Sequence, residues 1–207
     1  MHSDNGYPVA ALIMAAGYSR RFGEDDKRLA RLADGRTLLA ATVDRTRQAF
    51  AHVRVVIREE DDAALLGLTE LGLTDDVALI RVRHAHLGLG ASMAEAVAAL
   101  GHDTALGDIA AVAIVLGDMP WMSREALTAL QRLATPDTIV RPCHASRPGH
   151  PVIFGRTLWP ELEALTGASG AREVIRRHPC RYHEYAMPDG GLFHDIDTPT
   201  DLSRGAL

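Results

Sequence analysis

Cysteine and basic charge are both scarce in this sequence. Cys143 and Cys180 are the only cysteines among 207 residues, which excludes a disulfide-stabilised scaffold and fits a reducing compartment. The 22 lysine and arginine residues are outnumbered by 27 aspartate and glutamate residues, so the formal net charge is −5. A general nucleic-acid binder normally carries a basic excess, and this class of protein is therefore disfavoured.

Long apolar runs are also missing. The first apolar run, Val9–Ala16, is far shorter than the roughly 20 residues that a membrane-spanning helix needs. Residues 1–6 carry none of the lysine or arginine that begins a secretory signal. We therefore expect a cytoplasmic protein whose partners include neither a membrane nor a nucleic acid.

Lysine is the rarest charged residue. Lys27 is the single lysine, and arginine supplies all the other lysine-or-arginine positions. An ammonium is a compact point charge, whereas a guanidinium is a planar fork. A lone lysine can arise by chance, or it can mark a position that needs the ammonium.

The sequence is rich in short apolar runs that alternate with helical patterns. The predicted strands are Val9–Met14, Val53–Ile57, Val77–Val82, Ile109–Leu116, Thr138–Val140, Pro151–Phe154 and Tyr182–Ala186. The predicted helices are Thr37–Phe50, Asp61–Leu71, Ala91–Leu100, Arg124–Leu133, Trp159–Leu165 and Ala171–His178. This alternation predicts an α/β fold, a three-layer sandwich with helices on both faces of a mostly parallel sheet. Ligands of such sheets bind beyond the carboxyl ends of the strands, so the segments after Met14 and Leu116 are the first candidates for a site.

The first predicted strand is followed by a loop, residues 15–27, that contains two glycines and ends at Lys27. Small residues and glycines let a backbone approach a ligand, and Arg20, Arg21 and Lys27 add positive charge. These features predict a phosphate cradle, although a solvated basic loop with turn glycines would show the same residue types. The glycine spacing fits neither a Walker loop nor a dinucleotide-binding fingerprint.

The loop resembles the signature of the MobA-like nucleotidyltransferases, a family that includes the molybdenum cofactor cytidylyltransferases. The matching residues are Ala15, Ala16, Gly17, Ser19, Arg21, Phe22, Gly23 and Lys27. The gap before Lys27, residues 24–26, is one residue longer than in the family signature. The resemblance implies a catalytic role for Lys27 and Arg21, which would neutralise charge on the triphosphate. It also implies nucleotide binding by Ala15, Ala16, Gly17, Ser19, Arg21 and Lys27.

Two acidic segments resemble other parts of the same family. Residues 116–120 read Leu-Gly-Asp-Met-Pro after the most apolar predicted strand, and residues 195–199 read Asp-Ile-Asp-Thr-Pro. Each segment taken alone also fits an ordinary turn or helix start. The resemblance implies that Asp118 and Asp197 bind Mg²⁺, with Mn²⁺ as the alternative, since hard oxygen ligands suit these ions. It further implies that Asp118 acts in catalysis and in nucleotide binding, with Asp195 as a weaker metal candidate.

Three further segments resemble family motifs. Gly90 and Ser92 lie in a glycine- and serine-containing loop that the resemblance places near the nucleotide. His150, in a Gly-His-Pro segment, and Arg172, in a Gly-Ala-Arg segment, are implied to bind the acceptor. A glycine-rich turn, a structural histidine and an arginine that only pairs with a carboxylate are the alternatives.

The resemblance spans residues 12–202 and implies the Rossmann-like fold of the nucleotide-diphospho-sugar transferases. We expect one domain over residues 1–207, with the nucleotide bound by about residues 8–135 and the acceptor by about residues 136–207. The implied reaction transfers a nucleotidyl group from an NTP to the phosphate of molybdopterin or molybdenum cofactor and releases pyrophosphate. The reaction also allows a molybdoenzyme client as a further partner.

The expected nucleotide is CTP. Residues 14–17 read Met-Ala-Ala-Gly, as in the cytidylyltransferase branch, where the guanylyltransferase branch usually has Leu-Ala-Gly-Gly. GTP on the same acceptor and a sugar phosphate as acceptor stay open as alternatives. A glycosyltransferase is less favoured because no Asp-x-Asp follows the central predicted strand. A non-catalytic cofactor carrier is less favoured because Lys27, Asp118 and Asp197 are intact.

Overall fold

The computed structural model describes residues 6–18, 22, 26–71, 77–167 and 170–204, and eight strands lie within them. The strands are β1 (Val9–Met14), β2 (Val53–Arg58), β3 (Val77–Val82), β4 (Ala111–Leu116), β5 (Ile139–His144), β6 (Arg147–Pro148), β7 (Val152–Gly155) and β8 (Tyr182–Ala186). The α-helices are α1 (Leu38–Arg47), α2 (Leu89–His102), α3 (Arg124–Leu133), α4 (Trp159–Glu163), α5 (Arg172–Arg177) and α6 (Pro199–Arg204). The predicted strands are confirmed apart from shifts at their ends, and β6 and α6 are additional.

The described strands form one sheet in the order β3-β2-β1-β4-β7-β5-β6, with β8 paired to β5. Strands β3, β2, β1 and β4 run parallel, and β8 is parallel to β5. Strand β7 is antiparallel to both β4 and β5, and β6 is antiparallel to β5. The carboxyl ends of β1 and β4 are therefore neighbours at one edge of the sheet.

Helices cover both faces of this sheet. Residues Ala11 and Ile13 of β1 belong to a core that contains residues of α1 and α3. The alternate residues, Ala10 and Leu12, belong to a second core that contains residues of α2, α4 and α5. Because successive side chains of a strand point to opposite faces, these two cores confirm the predicted three-layer α/β sandwich.

Two of the longer helices, α1 and α3, begin at residues whose side chains cap them. Thr37 precedes α1 and its hydroxyl accepts a hydrogen bond from the amide of Ala40 at 3.1 Å. Ser123 precedes α3 and accepts from the amide of Ala126 at 3.2 Å. Each cap satisfies an amide that the first turn of a helix would otherwise leave unpaired.

The helix predicted over Asp61–Leu71 is wrong. The segment consists of turns that end in a short 3₁₀ helix at Thr69–Leu71. Gly67 has a φ of +74°, a conformation that interrupts a helix. The carboxylate of Asp61 also accepts a hydrogen bond of 2.8 Å from the amide of Arg58, at the end of the preceding strand. Leu66 and Leu68, whose spacing suggested a helix, are buried by turns instead.

Candidate active site

The ends of β1 and β4 meet where the sequence predicts a site. The amide of Gly117, which follows β4, donates to the carbonyl of Met14 at 3.1 Å. A Cβ at Gly117 would lie 3.0 Å from the Cβ of Ala15, so glycine allows the two strand ends this close approach. The approach brings Asp118 next to the loop that follows β1.

Lys27 joins this loop to both candidate metal ligands. Its ammonium donates to Asp118 Oδ2 at 2.5 Å and to Asp197 Oδ1 at 3.1 Å. A third hydrogen bond, of 3.0 Å, goes to the carbonyl of Ile196. The side chains of Lys27 and Asp118 are only 15% and 14% exposed. The structure thus brings Lys27 next to two carboxylates that lie 91 and 170 positions away from it in the chain.

Asp197 is held in place by its own segment. Ile196 is buried, and its amide donates to the carbonyl of Asp118 at 3.1 Å. The carboxylate of Asp201, in the first turn of α6, accepts from the amides of Asp197 at 3.2 Å and Thr198 at 2.8 Å. The segment therefore begins helix α6 and also carries the Asp197 carboxylate. The helix-start and metal-ligand interpretations of its sequence are thus compatible.

The charges of these groups perturb one another. Burial raises the pKa of Asp118 above its usual range against the opposing effect of Lys27, and the charges of Asp195 and Asp197 add to the rise. Burial on its own lowers the pKa of Lys27, but the charges and hydrogen bonds of Asp118 and Asp197 outweigh it, so that pKa lies above its ordinary value. The ammonium therefore stays protonated at neutral pH, beside an excess of negative charge.

The carboxylates fit a divalent cation. Asp118 Oδ1 is buried and accepts no hydrogen bond from any residue that the structure describes. A buried acceptor without a partner is costly, which indicates that a ligand completes it. Asp118 and Asp197 already converge on one ammonium, and hard oxygen donors are the ligands that Mg²⁺ and Mn²⁺ prefer.

Three cavities lie side by side at this edge of the sheet. The central cavity, of about 180 Å³, is lined by Lys27 and Asp118. Met14 lines both the central cavity and a second one of about 370 Å³, the loop cavity. Leu116 lines both the central cavity and a third one of about 570 Å³, the arginine cavity. Lys27 and Asp118 therefore line a cavity that shares wall residues with both larger spaces, which also share Leu89 with each other.

The loop cavity contains most of the predicted nucleotide-binding backbone. Ala16, Gly17 and Ser92 line it, and Ala15 and Gly17 line the central cavity. Gly90 is placed differently, because its amide donates to the carbonyl of Gly167 at 2.8 Å and a Cβ there would come within 2.8 Å of the same oxygen. Nucleotide binding by Gly90 and Ser92 stays a prediction.

The arginine cavity contains both residues predicted to bind the acceptor. His150 and Arg172 line it, together with Arg141 and Arg147, which the sequence analysis missed. Arg141 lies on β5 and Arg147 on β6, and these strands pair antiparallel on either side of a tight turn. The signal that could have revealed them is the pair of arginines just upstream of His150. Asp195 also lines this cavity.

His150 presents a neutral imidazole at this cavity. Burial, followed by the nearby charge of Arg141, lowers its pKa to about 4. Its Nδ1 is buried and has no hydrogen-bond partner among the residues that the structure describes. A neutral ring with an unused nitrogen can exchange a hydrogen bond with a ligand. Two other predicted residues, Ser19 and Arg21, lie outside the described residues.

The fold and the site together define a class of protein. A largely parallel sheet, a small-residue loop after its first strand, and a lysine paired with two carboxylates, one of which follows a strand end, are the parts of an α/β nucleotidyltransferase. The sequence profile of the MobA-like NTP transferase domain matches residues 11–182. The chain therefore belongs to the MobA-like NTP transferase family, and the predicted resemblance is confirmed.

Solved structures support this assignment. Rv0371c from Mycobacterium tuberculosis H37Rv is 28% identical, with a TM-score of 0.77 over 97% of this chain and 98% of that one. A second structure of Rv0371c, at 24% identity and a TM-score of 0.73 over 97% and 98% of the two chains, is a complex with manganese. Molybdopterin-guanine dinucleotide biosynthesis protein A from Archaeoglobus fulgidus shares the fold at 18% identity, with a TM-score of 0.63 over 95% and 96% of the two chains. No curated protein sequence gives a significant match.

No helix within the described residues has both the length and the apolar character needed to cross a membrane.

Proposed function

We propose that the chain transfers a nucleotidyl group, with CTP as the favoured donor, to the terminal phosphate of a molybdopterin-type acceptor. An oxygen of the acceptor phosphate attacks the α-phosphorus of the nucleotide. The new P–O–P bond forms as the bond to the β-phosphate breaks, and pyrophosphate leaves. The observation that carries this proposal is the position of Lys27, which pairs with Asp118 and Asp197 and lines a cavity that adjoins both larger cavities.

The central cavity supplies charge and position. Asp118 and Asp197 would hold Mg²⁺ or Mn²⁺, and the manganese complex of Rv0371c supports a divalent cation. Such a cation, when bound, neutralises and orients phosphate oxygens. Lys27 keeps its proton and donates to the triphosphate, and the backbone around Gly17 allows close approach. A phosphate nucleophile is already ionised near neutral pH, so the residues need to position it and need not act as a strong base.

The arginine cavity supplies the acceptor side. Arg141, Arg147 and Arg172 make it cationic, in a chain whose net charge is negative. Guanidinium groups match phosphate oxygens in pairs, so this cavity suits an acceptor that carries a phosphate. Apolar residues, among them Phe154 and Phe193, line the rest of it and suit a flat heterocycle such as a pterin.

The experiment is a pyrophosphate-release assay with Mg²⁺ and molybdopterin, with CTP and GTP run in parallel. Release with CTP alone supports the proposal, and release with GTP alone keeps the mechanism but reverses the nucleotide assignment. No release from protein that binds Mg²⁺–NTP would refute the acceptor, and a panel of sugar phosphates would then test the alternative. Asp118→Asn is the control that should abolish release with every acceptor.

A further inference from the structure

A largely buried group of ionic side chains lies beside Lys27, and one of its members, Arg28, lines the central cavity together with Lys27. The group consists of Asp26, Arg28, Arg58 and Asp61, called here the arginine–aspartate cluster. The side chains of Arg28 and Asp61 are 6% and 7% exposed. None of these residues belongs to the predicted site, yet Arg28 is the next residue after Lys27 in the chain.

Arg28 uses its whole guanidinium within this cluster. Its Nε and one terminal nitrogen donate to the carboxylate of Asp26 at 2.6 to 3.1 Å. Its terminal nitrogens donate to Asp61 at 2.5 and 2.8 Å, and one of them also donates to the carbonyl of Ala15 at 2.8 Å. Arg28 directly follows the end of the first loop. Its guanidinium binds the backbone at the start of that same loop.

Arg58, at the end of β2, completes the cluster. Its guanidinium donates to Asp61 Oδ1 and Asp26 Oδ2, each at 3.0 Å. It also lies over the ring of Tyr18 with its central carbon 4.7 Å from the centre of the ring. Tyr18 follows Gly17 of the predicted phosphate cradle, so the cluster contacts the loop at both Ala15 and Tyr18.

The cluster also fixes the backbone that carries Lys27. The side chain of Asp26 accepts from the amide of Arg28 at 3.0 Å and so caps the short 3₁₀ helix Lys27–Leu29. An Arg–carboxylate network of this kind is a poor source of net stability, because burying its charges costs about as much as their attraction returns. The planar fork of the Arg28 guanidinium does fix the directions of its hydrogen bonds, and a lysine or an apolar residue at position 28 could not reproduce them.

We propose that Arg28 is a positioning residue that fixes the Lys27 ammonium and the Ala15 backbone relative to each other, and thereby sets where the triphosphate binds. The inference rests on the proposed function and deepens it. Arg28 acts through Lys27, because its hydrogen bonds within the described residues go to Ala15, Asp26 and Asp61, whereas Asp118 accepts from Lys27.

The first test uses the fact that Lys27 is the only lysine. Labelling with ¹³C-lysine gives an NMR side-chain signal from that residue alone, and the measurement needs no substrate. When Asp118→Asn is introduced into the otherwise wild-type protein, the Lys27 Cε signal should shift, because the side chains of Lys27 and Asp118 are paired. In Arg28→Gln, the Lys27 Cε signal should move, and its response to Asp118→Asn should largely disappear.

Arg54→Gln is the matched control. Arg54 is also buried, lies on β2, and binds Asp103 through Nε and a terminal nitrogen at 2.9 and 2.7 Å. Its removal should lower the melting temperature and leave the Lys27 signal unchanged. If Arg28→Gln fails to fold, Asp61→Asn removes one partner of Arg28 with almost no change in size, and it should shift the Lys27 signal in the same direction.

The second test is kinetic. Arg28→Gln should lower kcat for pyrophosphate release about ten- to a hundred-fold, the loss expected when a catalytic group is misplaced by about 1 Å. Lys27→Ala should lower kcat more than it weakens NTP binding, and adding Arg28→Gln to it should cost less than about twofold more, because the two changes remove the same interaction.

The outcomes separate this inference from the proposed function. If wild-type protein releases no pyrophosphate from any acceptor, the proposed function fails and the NMR comparison alone decides the role of Arg28. An unchanged Lys27 signal in Arg28→Gln, or losses of kcat that multiply fully in the double variant, would overturn the positioning role. A shift of equal size in Arg54→Gln would also overturn it, since any buried arginine would then have the effect.

Discussion

The Lys27 ammonium lies between the carboxylates of Asp118 and Asp197, where the proposed divalent cation would bind. We predict that Lys27→Gln binds Mn²⁺ alone about tenfold more tightly than the wild type, because removing a like charge relieves roughly 1 to 2 kcal/mol of repulsion. Free Mn²⁺ measured by electron paramagnetic resonance during a titration gives the affinity directly. The ammonium lies 2.5 Å from Asp118 Oδ2 and 3.1 Å from Asp197 Oδ1, so a cation held by these two carboxylates would meet its charge at close range.

The control for this prediction is Arg36→Gln, which removes the same charge from an exposed ion pair with Asp34 and Asp44. Its Mn²⁺ affinity should match that of the wild type. A Lys27→Gln variant that binds Mn²⁺ no better than the wild type would show that the two carboxylates do not form the cation site.

His150 should make the stability of the fold depend on pH. Burial and Arg141, with a smaller contribution from Arg172, hold the folded pKa near 4, while Asp195 and a backbone hydrogen bond oppose the shift. The unfolded chain therefore binds the proton first as the pH falls. The stabilisation from neutral His150 is complete above about pH 6.5 and is lost progressively toward pH 4.

We therefore predict that the wild type loses up to about 2 kcal/mol more stability than His150→Gln when the pH falls from 7 to 5. Urea unfolding at the two pH values measures the difference. His102→Gln, an exposed histidine at the end of α2, is the matched control and should follow the wild type. A wild type and a His150→Gln variant with parallel pH dependence would contradict the prediction.

At the scale of elements, the start of α6 connects stability to the site. The Asp201 carboxylate accepts from Asp197 N and Thr198 N, and so orients the segment that carries Asp197. We predict that Asp201→Ala costs about 1 kcal/mol of stability, as the loss of a helix cap does, and weakens Mn²⁺ binding several-fold. Ser123→Ala, which removes the cap of α3, should cost similar stability and leave Mn²⁺ binding unchanged; equal loss of Mn²⁺ affinity in both would contradict the prediction.

Elements with strong local signals could be predicted from the sequence. The β1 and β4 runs are continuously apolar because both of their faces are buried, and Thr37 and Ser123 mark where helices begin. The helix prediction for Asp61–Leu71 failed because the same apolar spacing is compatible with turns as well as with a helix. The deciding contacts, such as that of Asp61 with Arg28, join residues 33 positions apart in the sequence and leave no local pattern.

At the scale of the whole molecule, the sequence could predict which strand ends carry chemistry but could not predict which cavity each residue faces. The strand-end rule pointed to the segments after Met14 and Leu116, whereas the joint action of Lys27, Asp118 and Asp197 was implied by the family resemblance; the structure pairs these three residues. Arg141 and Arg147 were missed because they reach a cavity only through the antiparallel pairing of β5 and β6.

The separation of the cavities predicts that acceptor and nucleotide affinity can be changed independently. Arg147→Gln removes a charge that lines the arginine cavity and neither of the other two cavities. We predict that the KM for a phosphate-bearing acceptor rises about five- to tenfold, the cost of one charge-assisted hydrogen bond, while the Kd for CTP is unchanged. The KM should also become less sensitive to salt, because one fewer cation attracts the acceptor.

Steady-state kinetics at two salt concentrations, with CTP binding measured by calorimetry, test both parts of this prediction. Arg176→Gln removes an exposed charge from the same helix as Arg172 and is the matched control, which should leave both constants unchanged. If Arg147→Gln instead weakened CTP and left the acceptor unaffected, the large cavity would be the nucleotide site and the direction of transfer across Lys27 would have to be reversed. Because the cavity that Lys27 lines adjoins both larger spaces, that reversal is the alternative that this measurement decides.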